Sequence, residues 1–256
     1  VIGSVTNKED IKKAVKEVDY IFHLAAMVSV PLSFQKPDEC LKINVDGTRN
    51  LLEAALKNNV KKVVFSSSAA VYGNNSKIPL KEDEPYLPLS PYAKSKVEGE
   101  KLCLEYSKKG LKTCVLRYFN VYGTRQDTKS PYSGVITLFL DRAKKNQDII
   151  IYGDGAQTRD FIHVSDVVAA NVLAMENGEG IYNVATGKKI TINELAKEII
   201  RISKSKSKLI HKEERIGDIK KSLADITKIK SLGFIPVINL EKGLKTSDMT
   251  RWKIEN

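Results

Sequence analysis

The stretch Lys62-Val63-Val64-Phe65-Ser66-Ser67 is an apolar run that ends in small polar residues. A strand with one wet face alternates apolar and polar side chains, whereas a near-continuous apolar run suits a strand covered on both faces. Asp19–Ala26 upstream and Lys112–Tyr118 downstream have the same texture. Between them, Cys40–Lys57 carries Leu41, Val45, Leu51, Leu52 and Ala55 at helical spacing, and Tyr92–Ser107 reads as a second helix. Apolar strands alternating with helices imply an α/β fold with a doubly wound parallel sheet. Ligands of such sheets bind outside the carboxyl ends of the strands. Those ends are here small or polar: His23 to Ala26, Ser66 to Ser68, and Phe119-Asn120.

After residue 123 Gly, Pro and Ser become frequent, with a turn at Gly153-Asp154-Gly155 and a helix over Ile192–Ile202. This predicts a smaller α+β substrate domain over residues 123–256, packed on a first domain of residues 1–122, with about 160–178 packing back on the first. The chain has 256 residues, 42% hydrophobic, and a formal charge of +11. That describes a folded globular protein. No apolar run approaches the roughly 18–20 residues of a membrane helix, and no signal peptide is visible at Val1-Ile2-Gly3-Ser4. Cys40, Cys103 and Cys114 lack the CxxC spacing of a zinc site and are odd in number, so no metal and a reducing cytoplasm are expected. The lysines are dispersed and no aromatic-interleaved basic motif accompanies them, so nucleic acid is not an expected partner.

The strongest chemical signal is Tyr92-Ala93-Lys94-Ser95-Lys96, which follows Ser90-Pro91. A helix places Tyr92 and Lys96 on one face. An ammonium beside a phenol is expected to lower its pKa from about 10 and make a general base. Taken alone, such a pair is usually a surface pair. Upstream, Ser66-Ser67-Ser68-Ala69-Ala70-Val71-Tyr72-Gly73 brings a serine to the end of a strand, where it can meet the same substrate hydroxyl.

These residues, with His23–Ala26, Asn44–Thr48, Arg117–Gly123, Gly153–His163 and Arg215–Asp218, resemble the extended short-chain dehydrogenase/reductase family, and within it the nucleotide-sugar epimerases. The resemblance covers nearly the whole chain and implies a Rossmann-like first domain. It implies Tyr92 as catalytic base, Lys96 as its partner and Ser68 on the sugar hydroxyl. Leu24, Ala25, Ala26, Met27, Val28, Asn44, Ser67, Tyr92, Lys96 and Phe119 are the implied NAD contacts. Asn120, Arg159 and Arg215 match positions on the diphosphate of a sugar nucleotide, where a guanidinium fork suits phosphate oxygens. Val135, Tyr152 and Gln157 match stretches that enclose uridine, and Asp218 and Ser222 complete the substrate set. The implied reaction takes a proton from the sugar 4-hydroxyl and a hydride from C4 to NAD, then returns the hydride to the opposite face.

The dehydratases of this group usually carry an acidic pair where this chain has Ala69 and Ala70, and decarboxylating relatives usually carry a Glu in the same segment. UDP-glucose/UDP-galactose 4-epimerisation is therefore expected. UDP-GlcNAc/UDP-GalNAc is the first alternative, because Ser222 is small and Tyr132–Ile136 resembles enzymes handling that pair; another NAD-dependent nucleotide-sugar epimerase and a non-catalytic Rossmann-fold binding protein are the others. The resemblance also implies a homodimer through Cys40–Lys57 and Tyr92–Ser107. The family's Gly-rich GxxGxxG turn is absent from the sequence, so an N-terminally truncated chain with weak or no NAD binding is expected.

Overall fold

The computed structural model describes residues 2–126, 134–214 and 219–247. The first part of the chain forms α1 (Lys8–Ala14), β1 (Tyr20–His23), α2 (Val30–Gln35), α3 (Pro37–Leu41), a π-helical turn (Lys42–Asp46) and α4 (Gly47–Lys57). Then come β2 (Lys62–Ser68), a 3₁₀ turn (Ala69–Tyr72), α5 (Pro91–Lys108), β3 (Thr113–Tyr118), β4 (Asn120–Tyr122), α6 (Val135–Lys144) and β5 (Ile149–Tyr152). They are followed by β6 (Thr158–Arg159), β7 (Phe161–His163), α7 (Val164–Asn177), β8 (Gly180–Val184) and β9 (Ile190–Thr191). The last are α8 (Ile192–Ser203), β10 (Leu209–Lys212), α9 (Thr227–Lys230) and α10 (Leu240–Thr246).

The main sheet has the order β1-β2-β3-β8, and every pairing in it is parallel. The apolar run Val63-Val64-Phe65 is buried on both faces, as its texture predicts. One face packs on Ile11, Leu51, Leu52, Leu102 and Cys103 from α1, α4 and α5. The other packs on Ala170 and Ala174 of α7, with Val71, Ile162 and Val184. Helix α5 lies so close to β2 that a Cβ on Gly99 would overlap the Phe65 ring. Lys62 extends from β2 to the end of α7 and donates to the carbonyls of Ala174 and Glu176, both at 3.3 Å. A cation there satisfies orphan carbonyls and opposes the helix dipole. At the sheet edge, Tyr20 and Phe22 of β1 are partly exposed.

Two segments differ from their sequence reading. Cys40–Lys57 is not one regular helix, because the π-helical turn at Lys42–Asp46 interrupts it. The first strand ends at His23, not Ala26. Both changes follow from Asn44: its amide accepts from Met27 N at 2.7 Å and donates to Met27 O at 3.0 Å, taking the backbone of 24–28 out of the ladder. The π turn leaves Asn44 facing that segment.

The later segments form a second layer. Parallel β5 and β10 pack with α6, α8 and α10 around Phe139, Ile149, Ile151, Leu195, Ile199 and Leu244. A capping box starts α8, with Thr191 Oγ1 accepting from Glu194 N at 3.1 Å and the Glu194 carboxylate accepting from Thr191 N. The chain returns to the main sheet through α7 and β8, so the sheet includes residues up to Val184.

Candidate active site

The site begins at the amino end of α5. Ser90 caps this helix by accepting from Ala93 N at 3.1 Å, and Pro91 occupies the first turn. Ser33 Oγ accepts from Tyr92 N at 3.2 Å, which ties the helix start to α2. Tyr92, Lys96 and Glu100 then recur every four residues along the face of α5 that meets the end of β2. Ser68 hydrogen-bonds the Tyr92 hydroxyl and also accepts from Ala70 N. Lys96 Nζ donates to the Ser66 carbonyl at 2.7 Å and lies 5.8 Å from the centre of the Tyr92 ring. The structure therefore brings Ser68, Tyr92 and Lys96 together where β2 ends.

Their proton affinities depart from the sequence expectation. Burial raises the Tyr92 phenol above its ordinary value, and the Ser68 hydrogen bond only partly opposes this. Burial also lowers Lys96, to about 8. The expected lowering of Tyr92 by Lys96 is thus not found in the cofactor-free chain. The ammonium is turned to a carbonyl, and desolvation dominates both groups.

Further buried polar contacts support the trio. Asn44 Nδ2 donates to Ser95 Oγ at 2.9 Å, and Ser95 Oγ donates to the Tyr92 carbonyl at 2.7 Å. Thr48 gives its hydroxyl proton to the Asn44 carbonyl at 2.6 Å, so His23 Nε2, 2.9 Å from Thr48 Oγ1, is the donor in that contact. Burial, with the charge of Lys96, lowers His23 to about 4 and keeps it neutral. Leu24 and Val28 are 63% and 68% exposed and Ala25 is exposed, whereas Ala26 is half-buried and Met27 is buried. Phe119 is buried with its ring 6.2 Å from that of Tyr72. Ser67 is placed differently from its expected contact: its hydroxyl turns into the core and donates to Glu100.

The remaining predicted residues gather around β4, β6 and β7. The Asp160 carbonyl accepts from both the backbone N and the side-chain amide of Asn120, each at 3.1 Å. Arg159 donates to the carbonyls of Thr158 and Ile219. Ser222 is buried, with its backbone N on the Thr158 carbonyl. Gln157 donates to the Tyr152 carbonyl at 2.9 Å, and Val135 opens α6. Arg215, Asp218, Tyr132 and Ser133 lie outside the described residues.

Residues 1–185 match the NAD dependent epimerase/dehydratase family. The chain belongs to that family. A putative UDP-glucose 4-epimerase of Methanocaldococcus jannaschii is 42% identical over 92% of this chain and 78% of its own. The structure of a UDP-N-acetylglucosamine 4-epimerase from Methanobrevibacter ruminantium in complex with UDP-N-acetylmuramic acid has a TM-score of 0.93 and 42% identity, over 96% of this chain and 80% of that one. A UDP-glucose 4-epimerase from Thermotoga maritima with UDP-glucose also has a TM-score of 0.93, at 39% identity over 96% and 81%.

Members of this NAD-dependent family need a place for the nicotinamide, and the described residues fit one. Leu24 and Val28 offer exposed apolar surface at the carboxyl end of β1, and Asn44 ties that segment through Ser95 to the turn of α5 that carries Tyr92. Among the described residues no group of His, Cys, Asp or Glu could hold a metal ion, and no helix is long and apolar enough to cross a membrane.

The sequence reading missed Ser33, Ser95, Glu100 and Asp160. Ser95 could have been found, because it lies inside the Tyr92–Lys96 motif at the helical spacing that returns its hydroxyl to Tyr92 O. Asp160 lies inside the Gly153–His163 motif. It is fully buried, and its carboxylate accepts from Thr186 N and Oγ1, Gly187 N and Ala224 N.

Proposed function

We propose that this family member is a nucleotide-sugar 4-epimerase that interconverts UDP-glucose and UDP-galactose. The observation that carries the reading is the Ser68–Tyr92 pair, with Lys96 on the same face of α5, at a strand end followed by Ala69 and Ala70. The residues after Ser68 are Ala69 and Ala70, which cannot assist loss of water from the sugar. A bound NAD would supply the hydride-transfer chemistry at the sugar carbon.

Tyr92 takes the proton of the 4-hydroxyl on its phenolic oxygen, and Ser68 holds that hydroxyl in line. Lys96 is charged below about pH 8 and supplies the nearby cation that a phenolate requires. Lys96, Tyr92, the 24–28 segment, Asn44 and Phe119 are the residues proposed to hold the nicotinamide half of the cofactor, with Ser67 contributing backbone only. Asn120, Arg159 and Arg215 are proposed to bind the diphosphate, and Val135, Tyr152, Gln157, Asp218 and Ser222 to enclose the nucleotide and sugar. The three cysteines are free and buried, which suits a reducing cytoplasm. A homodimer through α4 and α5 is part of the same proposal, with light scattering as its test.

UDP-GlcNAc/UDP-GalNAc is the second reading, favoured by the small side chain of Ser222, whose backbone N bonds the Thr158 carbonyl of β6. Turnover of both sugar pairs by the wild-type protein, Tyr92→Phe and Ser222→Tyr tests these readings. Tyr92→Phe is expected to abolish interconversion. Ser222→Tyr is expected to remove any N-acetylhexosamine turnover and to spare the hexose reaction. Full activity in Tyr92→Phe would overturn the mechanism.

A further inference from the structure

The end of β2 is held by three contacts with one face of α5. Lys96 bonds the Ser66 carbonyl, Ser68 bonds Tyr92, and between them Ser67 donates its hydroxyl to Glu100. Glu100 is completely buried, and its carboxylate is saturated. Arg117 Nε and Nη2 donate to it from β3, at 3.0 and 2.7 Å, and Tyr86 donates at 2.9 Å. Arg117 also donates to the Tyr72 hydroxyl at 2.8 Å, and Tyr72 donates to Asn183 Oδ1 of β8 at 2.6 Å. A buried ion pair of this kind is weak evidence for stability, because desolvation offsets most of its attraction. It does provide a fixed direction, since a bidentate guanidinium holds a carboxylate at one angle.

We infer that Glu100 is a positioning residue for the reaction, acting through Ser67 to fix the tripeptide Ser66-Ser67-Ser68 against Tyr92 and Lys96. This rests on the reading of Ser68, Tyr92 and Lys96 as catalytic. The peptide units on either side of Ser67 carry both contacts. Rotation of residue 67 would swing the Ser66 carbonyl from Lys96 and the Ser68 hydroxyl from Tyr92 together. Arg117 and Tyr86 hold Glu100 on its other side, so the carboxylate stays in place when substrate contacts Ser68.

The test uses the full chain, with Ser67→Ala as the main variant. It removes one donor from Glu100 while leaving the Arg117 pair intact, so it avoids the folding defect expected for Glu100→Gln. Two readouts are taken. The first is kcat and KM with saturating NAD. The second is the pH midpoint of the Tyr92 ¹³Cζ resonance in tyrosine-labelled protein without cofactor, assigned by its loss in Tyr92→Phe. Ser67→Ala is expected to lower kcat about tenfold with KM within about twofold, the scale of one misaligned hydrogen bond. The Tyr92 midpoint is expected to rise by about half a unit as the Ser68 hydrogen bond weakens, a roughly threefold loss of phenolate at a given pH. Ser67→Thr, which keeps the hydroxyl, is expected to restore both. Unchanged kcat and an unchanged midpoint in Ser67→Ala would overturn the positioning role while Tyr92→Phe remained inactive. An active Tyr92→Phe would instead overturn the catalytic reading beneath it.

Discussion

Lys96 should make the folded chain less stable, and its removal should show by how much. Its ammonium is buried, with one carbonyl acceptor among the described residues, and its pKa falls from 10.5 to about 8. The unfolded chain binds that proton more tightly than the folded one, so folding is penalised wherever the group is charged. Below pH 8 the full penalty applies, about 3 kcal/mol for a shift of this size. Between pH 8 and pH 10.5 the penalty shrinks, and above 10.5 it is gone. Against it stands the hydrogen bond to Ser66 O, worth about 1 kcal/mol. Lys96→Met retains most of the apolar stem and removes the charge. At pH 7 the cofactor-free variant should therefore be more stable than wild type by about 2 kcal/mol, while turning over no substrate. At pH 10.5 the advantage should vanish or reverse. Urea unfolding of both proteins at the two pH values measures the difference, and near-UV circular dichroism checks that packing is kept. A variant less stable than wild type at pH 7, or an advantage equal at both pH values, would refute the reasoning.

Three further outcomes are expected. His23 is held near 4 in the fold, so as pH falls from 6.5 toward 4 the unfolded chain gains the proton first and stability drops. The drop from this group is about 3 kcal/mol, and His23→Gln should show a correspondingly flatter urea-unfolding profile over that range. Gly73 has φ of 55°, and a Cβ there would overlap the Leu87 carbonyl, so Gly73→Ala should cost about 3 kcal/mol or more and distort the turn after Ser68. Asn44→Leu leaves Met27 N, Met27 O and Ser95 without their shared partner and should cost about 3 kcal/mol in thermal unfolding, with the 24–28 segment losing amide exchange protection first.

The legible parts of the fold were those set by local chemistry. The apolar run at Val63–Phe65 declares a strand covered on both sides, and Ser90-Pro91 declares the start of α5. Tyr92 and Lys96 share a face for the same helical reason. The turn at Asn44 was not legible, because a π turn is retained by the Met27 contacts, made seventeen residues away in sequence. The proton affinities of Tyr92 and Lys96 were misjudged for a related reason. Pair spacing is visible in a sequence, whereas desolvation depends on everything packed around the pair. The Ser67–Glu100 contact crosses from strand to helix over thirty-three residues, and no periodicity announces it.

Asp160 has a consequence for how such a chain can diversify. Its carboxylate gathers Thr186, Gly187 and Ala224, and its carbonyl takes both donors of Asn120. The two ends of the stretch between residues 187 and 224 are thus both held by one carboxylate. That stretch includes Ser222, proposed above to enclose the sugar, whereas the proposed proton-transfer residues lie on β2 and α5. If those proposed roles hold, exchange of one sugar for another is expected to arise in this part of the chain, and a library for new specificity should begin there.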